Sequence, residues 1–264
     1  MHLRLSGLCA AIAAASLSAS PAVPLVSQAG ASRSSPAPPA APSIGGVLDT
    51  LDRVRAFHET AISPDGRRAV WVEDVAATAD ASAIFLRTLA TPPTAAHLIT
   101  ASNDGRGHHE DGVAWAADGH NLAFLSDTGS PGQQQLYMID VDGSAPARRL
   151  TSVKGQLAQP RWSPDGTQLA VLLVAGSTHG TGALVAYKPD AGLVGDVVEE
   201  QRIAVVDVAT GALREVSPAN MFVYDYDWSP DGKAFAAEAV EGSGTNNYWI
   251  AQLYVVRADT GTAT

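Results

Sequence analysis

Cysteine is almost absent: Cys9 is the one thiol in 264 residues, and it lies inside the amino-terminal apolar run. That leaves the rest of the chain without a disulfide framework, a thiolate metal site or a cysteine nucleophile. Positive charge is scarce as well. With 17 basic against 27 acidic side chains the formal net charge is −10, which repels phosphate backbones and anionic head groups, so nucleic acid is set aside as a partner. No apolar run reaches the roughly 20 residues that a bilayer-spanning helix needs. Nowhere does the chain spell Gly-x-Ser-x-Gly, the nucleophile elbow of many serine hydrolases, and the strand-helix alternation that would present one is missing too.

What the amino terminus does have is an address. Arg4 precedes an apolar run from Leu8 to Leu17, then come small residues and Pro21, the pattern of an export signal over residues 1–29 with cleavage after Ala19, Ala22 or Ala29. Leu8 before Cys9 argues against lipidation there. Residues 30–46, rich in Pro, Ala and Ser, read as a linker with no periodic apolar face. The expected location is therefore periplasmic or extracellular, with no membrane span once the signal is cleaved. The fold is expected over residues 47–264, where 46% hydrophobic content for the whole chain supplies a core.

Inside that region a motif recurs: ISPDG (62–66), WAADG (115–119), WSPDG (162–166) and WSPDG (228–232). Their aspartates, Asp65, Asp118, Asp165 and Asp231, are 53, 47 and 66 residues apart, the spacing of one supersecondary unit per repeat with an insertion in the third. Proline pre-sets a turn, Ser and Asp accept backbone N–H groups, and Gly takes a positive φ, so each motif is a hairpin corner. Short Val-, Leu- and Ala-rich runs follow every corner, and in VYDYDW (223–228) Tyr224, Tyr226 and Trp228 alternate with Asp225 and Asp227. A second hairpin follows in each unit, its corner carrying Asp142-Gly143, Thr210-Gly211 or Thr260-Gly261 in the second to fourth. The segments are too short and too often broken by Gly for helices. The expected fold is all-β, a β-propeller of four-stranded antiparallel blades, about four present (54–100, 108–152, 156–218 and 222–264) and the last incomplete. The third blade's extra text, residues 176–200, reads as an elaborated loop between its second and third strands.

These corners, with LAFLSD (122–127), QLYMIDVDGSAPARRLT (135–151) and RIAVVDVATGALREVS (202–217), resemble the amino-terminal propeller of secreted peptidases of the prolyl oligopeptidase family, in its dipeptidyl-peptidase and acylaminoacyl-peptidase branch. The corner by itself also resembles those of Tol-associated propellers. The peptidase resemblance implies a substrate-gating propeller that covers an α/β-hydrolase domain with a Ser, Asp and His triad. This chain has no elbow, so no catalytic residue is assigned, and the resemblance implies a portion truncated before the hydrolase domain, with peptide substrate reached through that domain. The alternatives are a free-standing Tol-associated type of propeller that binds protein partners in the cell envelope, or a decayed gene product.

Several side chains are weighed as sites. Glu199 and Glu200 follow the insertion, and the resemblance implies that such a pair holds a substrate's free amino terminus; carboxylates suit an ammonium group. In His108-His109-Glu110-Asp111, adjacent residues of an extended segment point to opposite faces, so only His108 with Glu110, or His109 with Asp111, converge, and a solvated strand entry is the plainer reading. Asp225 and Asp227 share a face suited to a hard cation but read first as the polar side opposite the tyrosines. Ser177 with His179 lacks a third orienting group. No metal and no cofactor is expected.

Overall fold

In a computed structural model, the structure describes residues 43–46, 56–75, 81–92, 94–177, 200–242 and 247–264. The expected signal segment and most of the linker lie outside them, as does residue range 178–199 of the third-blade insertion. No described helix is long and apolar enough to cross a membrane.

Residues 44–264 form one compact unit of four antiparallel sheets. The first holds β1 (Phe57–Ile62), β2 (Arg68–Asp74), β3 (Ser82–Thr88) and β4 (His97–Ile99) in that order. The second holds β5 (Glu110–Trp115), β6 (Asn121–Ser126), β7 (Gln135–Asp140) and β8 (Arg148–Arg149). The third holds β9 (Gly155–Trp162), β10 (Gln168–Ala175), β11 (Arg202–Asp207) and β12 (Leu213–Glu215). The fourth has three strands, β13 (Met221–Trp228), β14 (Ala234–Glu241) and β15 (Gln252–Arg257). Past Gly261 the chain turns back, and Ala263 makes a single bridge to Val256. Each sheet is an up-and-down meander, the form of a propeller blade.

The corners close themselves. Ser63 Oγ donates to Asp65 Oδ1 at 2.6 Å and accepts the Arg68 N–H at 3.0 Å, while Gly66 N–H closes the turn on Ser63 O at 2.8 Å. Ser163 with Asp165 and Ser229 with Asp231 repeat the 2.6 Å contact. In the second blade Ala116 has no hydroxyl to give, and Asp118 instead accepts the N–H groups of His120 and Asn121. The serine hydroxyl, then the N–H two residues on, hold Asp65, Asp165 and Asp231 below the usual carboxylate range. A depressed folded-state pKa stabilises above about pH 4 and ceases to do so as acid protonates the carboxylate, so the corners loosen only in acid.

Sheets with apolar residues on both faces must be covered on both sides. Three clusters do this between successive blades. Val70, Val72, Ile84 and Leu86 of the first meet Leu122, Phe124 and Tyr137 of the second. Ala123, Leu125 and Leu136 of the second meet Leu169, Val171 and Ala204 of the third. Ala170, Leu172, Ile203 and Val205 of the third meet Trp228, Phe235 and Val256 of the fourth.

The same polar contacts recur at the second and third seams. The corner tryptophan reaches back one blade: Trp162 Nε1 donates to Ala114 O at 3.0 Å, and Trp228 Nε1 to Arg161 O at 3.1 Å. Arginines reach forward, Arg148 to Val208 O at 2.6 Å and Arg214 to Ala258 O at 2.7 Å. The second-hairpin glycines of blades three and four lie against the preceding blade, so a Cβ on Gly211 would stand 2.8 Å from Leu150 O and one on Gly261 2.2 Å from Val216 O. The first seam is the exception: Trp115 Nε1, the corner indole of blade two, is buried without a hydrogen-bond partner.

Two comparisons test the seams. Trp228→Phe keeps most of the apolar ring and loses one inter-blade hydrogen bond, an expected cost of about 1 kcal/mol in urea denaturation, whereas Trp115→Phe loses none and is expected to fall within about 0.5 kcal/mol of the parent. Gly166 and Gly211 share a positive φ, 71° and 73°, but nothing lies within 4 Å of a Cβ on Gly166. Gly166→Ala is expected to cost about 1–2 kcal/mol from the backbone alone, and Gly211→Ala clearly more.

Candidate functional site

The meander sends the WSPDG corners and the β3–β4, β7–β8 and β11–β12 corners to one side of the blades. The β6–β7 loop, the ends of β2 and β10 and the blade-to-blade connections lie on the other. On that loop side a cavity of about 880 Å³ opens where blades one to three converge. Its apolar floor includes Leu157, Ala158 and Leu172 from β9 and β10. Polar side chains rim it: Asp104 and His108 before β5, Asp127 after β6, Gln134 before β7, and Gln156 and Gln201 at the starts of their strands.

The rim is built by hydrogen bonds that tie loops together. Asp127 accepts the His109 N–H at 2.9 Å through Oδ1 and the Gly132 N–H at 2.8 Å through Oδ2, which clamps the β6–β7 loop to the entry of β5. His108 Nε2 lies 3.0 Å from Asp104 Oδ1, and its Nδ1 lies 3.7 Å from Asp127 Oδ1. The Arg106 N–H, and then His108, keep the Asp104 carboxyl below its ordinary range, so it is charged near neutral pH. Gln134 Nε2 donates to Asp111 Oδ1 at 2.8 Å. Such a cavity offers hydrogen-bonding groups around an apolar base, and on its rim Thr128 Oγ1 lies 3.2 Å from His108 Nε2, the same nitrogen that lies 3.0 Å from Asp104 Oδ1.

The four residues His108 to Asp111 separate as extended backbone requires. His109 Nε2 lies 3.1 Å from Asp111 Oδ2, while Glu110 turns inward and is 2% exposed. Its Oε1 takes three donors, Ala101 N–H at 2.8 Å, Thr100 Oγ1 at 3.0 Å and Ser126 Oγ at 3.1 Å, and burial raises its pKa above the ordinary carboxylate range. Among the described residues no three His, Cys, Asp or Glu side chains gather as a metal site.

Asp225 and Asp227 hold a guanidinium: Arg161 of blade three lies 2.8 Å from the first and 3.5 Å from the second, and its Cζ stands 5.3 Å from the Tyr226 ring centroid. Tyr226 and Trp228 are buried on the face toward blade three, whereas the bulge between Val223 and Asp225 breaks the expected alternation and sets Tyr224 with Phe222 and Val240 in a separate buried cluster. Burial puts the Tyr226 phenol well above its ordinary pKa, and its hydroxyl donates to Gln159 O at 2.7 Å. Glu200 is half-buried, and its Oε1 accepts the Asn220 N–H at 2.8 Å. Glu199 and His179 lie outside the described residues.

Sequence reasoning missed the loop-side cavity and the inner-strand bulges, which lie in β1, β5, β9 and β13 or against them. At the β5 bulge Glu59 of blade one accepts the N–H groups of Gly112 and Val113 at 3.1 and 3.0 Å. At the β9 bulge Pro160 has no N–H to satisfy, and the position corresponding to Glu59 is Gly112, whose added Cβ would lie 3.1 Å from Pro160 Cδ. Only the positive φ of Gly112, and that of Gln159 at 48°, mark these places.

No family model matches the chain. An uncharacterized peptidase of Bacillus subtilis, YuxL, is 29% identical over 145 residues, covering 48% of this chain and 22% of that protein. Among solved structures, a puromycin-hydrolyzing peptidase of Mycobacterium tuberculosis superposes with a TM-score of 0.55 at 17% identity, covering 79% of this chain and 28% of that one. TolB of Acinetobacter baumannii gives 0.52 at 19% identity, covering 79% and 43%. The chain is a β-propeller resembling the propeller part of prolyl oligopeptidase-family peptidases. It spans less than half the length of each of these three proteins.

The position of Glu110 gives a pH test. A raised folded-state pKa means that its contribution to stability is present below about pH 4 and is lost as pH rises through the folded value. Glu110→Gln keeps an oxygen for all three donors, so the variant is expected to match the parent in mild acid and to exceed it at pH 8 in thermal melts. A parent that is equally stable at both pH values relative to the variant contradicts the burial reading.

Proposed function

We propose that the chain is the non-catalytic, substrate-gating propeller portion of an exported serine peptidase, acting beside an α/β-hydrolase domain that is not among these 264 residues. Residues 1–29 serve as its export signal, residues 30–46 as a linker and residues 47–264 as the blades. The observation that carries the reading is the loop-side cavity, whose size of about 880 Å³ suits a few residues of peptide. Its amide and carboxylate rim matches peptide N–H and C=O groups, and its floor of Leu157, Ala158 and Leu172 takes an apolar side chain. The similarity to two peptidases supports the same direction. Glu199 and Glu200 hold the peptide's ammonium group in this reading, and Glu200 adjoins Gln201 of the cavity rim.

A second reading, a free-standing propeller that binds protein partners in the cell envelope, is favoured by the comparable superposition on TolB. Peptide titration calorimetry separates the two. The peptidase reading expects a short peptide with a free amino terminus to bind, Ala158→Trp to abolish binding by filling the floor, and Glu200→Gln to weaken that peptide several-fold but not its acetylated form. A fluorophosphonate serine probe is expected to leave the purified chain unlabelled. Absence of peptide binding, or binding indifferent to Ala158→Trp, turns the case to the second reading.

A further inference from the structure

Of the glutamines that line the loop-side cavity, two are committed to the protein. Gln134 Nε2 donates to Asp111 Oδ1 at 2.8 Å, and Gln201 Nε2 donates to Val223 O at 2.7 Å. Gln156 lines the same cavity, half-buried, and among the described residues its side-chain amide has no hydrogen-bond partner. The register shows that blade three differs here from its neighbours. Gln156 pairs with Val174, just as Phe222 pairs with Val240 and His109 O accepts the Asp127 N–H at 3.2 Å; each of these partners stands at the same distance past its corner glycine, Gly166, Gly232 or Gly119. At the equivalent places Phe222 is buried, and His109 Nε2 lies 3.1 Å from Asp111 Oδ2. Of the three, Gln156 keeps a donor and an acceptor for something else.

The backbone beneath that amide is held firmly. Gly155, the residue before it, has φ 133°, and an added Cβ would stand 2.1 Å from Val174 O. Gln133 of the β6–β7 loop grips this glycine at both polar groups: its Nε2 donates to Gly155 O at 2.6 Å, and its Oε1 accepts the Gly155 N–H at 3.1 Å. A glutamine amide thus already pairs with the N–H and C=O of a single residue in this structure. Gln156, fixed on its strand with its amide uncommitted, is preorganised to do the same to another chain, because little ordering remains to be done on binding. Ala158 lies two residues along β9 on the same face, about 7 Å away, and offers an apolar seat to a neighbouring side chain of that other chain.

We infer that Gln156 is a ligand-binding residue of the cavity: its Oε1 accepts the N–H, and its Nε2 donates to the C=O, of one residue of a bound peptide. The inference deepens the peptidase reading and rests on the peptide ligand of that reading. Because the contact is to main chain, it admits any side chain at that place and requires an N–H there. A residue without one, proline included, is disfavoured.

The test is calorimetric titration of the full chain with the tripeptide Ala-Leu-Ala and with its analogue N-methylated at the leucine. Gln156→Met keeps the length of the side chain without its amide, and it is expected to weaken the plain tripeptide about tenfold, within the range of two neutral hydrogen bonds. N-methylation at the leucine removes one of the two, and is expected to weaken binding to the parent about fivefold and to leave binding to Gln156→Met unchanged. The variant is expected to melt with the parent, because no contact within the protein is removed. Tripeptide binding that Gln156→Met leaves intact, or an N-methyl effect of equal size in both proteins, overturns this inference and leaves the peptidase reading standing. A lowered melting temperature of the variant also overturns it, since Gln156 would then serve the fold. A parent that binds no tripeptide contradicts the peptidase reading and this inference with it.

Discussion

A sheet whose two faces are both apolar cannot stand alone in water, and every other feature of this chain follows from that constraint. Leu122 and Phe124 project from β6 toward blade one, and Ala123 and Leu125 project from the same strand toward blade three; all four are buried. Burying a side chain of that size contributes roughly 1.5–3 kcal/mol, so a blade deprived of a neighbour loses several such terms at once. Stability is then shared among nearest neighbours, as in other repeat architectures. The polar seam contacts add direction to this stacking. A tryptophan reaching back and an arginine reaching forward fix the order and register of blades that hydrophobic contact alone would leave free to slide.

The sequence disclosed what is local. Each corner is closed by hydrogen bonds within a few residues, Ser63 to Asp65 and Arg68 for instance, so the motif that makes the turn is also the motif that is read. The alternation of Tyr226 and Trp228 with Asp225 and Asp227 likewise predicted which of these side chains share a buried face, up to the bulge before Asp225, where Tyr224 leaves the pattern. The inward turn of Glu110 away from its histidine neighbours obeys the same rule of alternation.

What the sequence concealed joins residues far apart in the chain. Arg161 and Asp225 are 64 residues apart, and Glu59 and Val113 are 54 apart; no spacing rule connects them. The cavity is hidden for the same reason, since its wall is assembled from loops of three blades that are fixed only after stacking, by Asp127 in particular. Gln159 gives no warning of its positive φ, a conformation for which glycine is the expected residue, as at Gly112. Glu200 shows the limit of carrying a role over by resemblance: its carboxylate also satisfies a backbone N–H in a turn, a contact that pairing with Glu199 in the sequence does not suggest.

The seams therefore connect sequence to use. They hold the inner strands side by side, and those strands and their loops enclose the cavity of about 880 Å³. Native-state hydrogen exchange, followed residue by residue, measures this dependence most directly. If mutual covering holds the blades, amides of β6 and β10, in sheets flanked on both sides, exchange slowest and through the same opening, and those of β15 exchange fastest among the long strands. Protection that is uniform across all four sheets, or greatest in β15, would contradict the account.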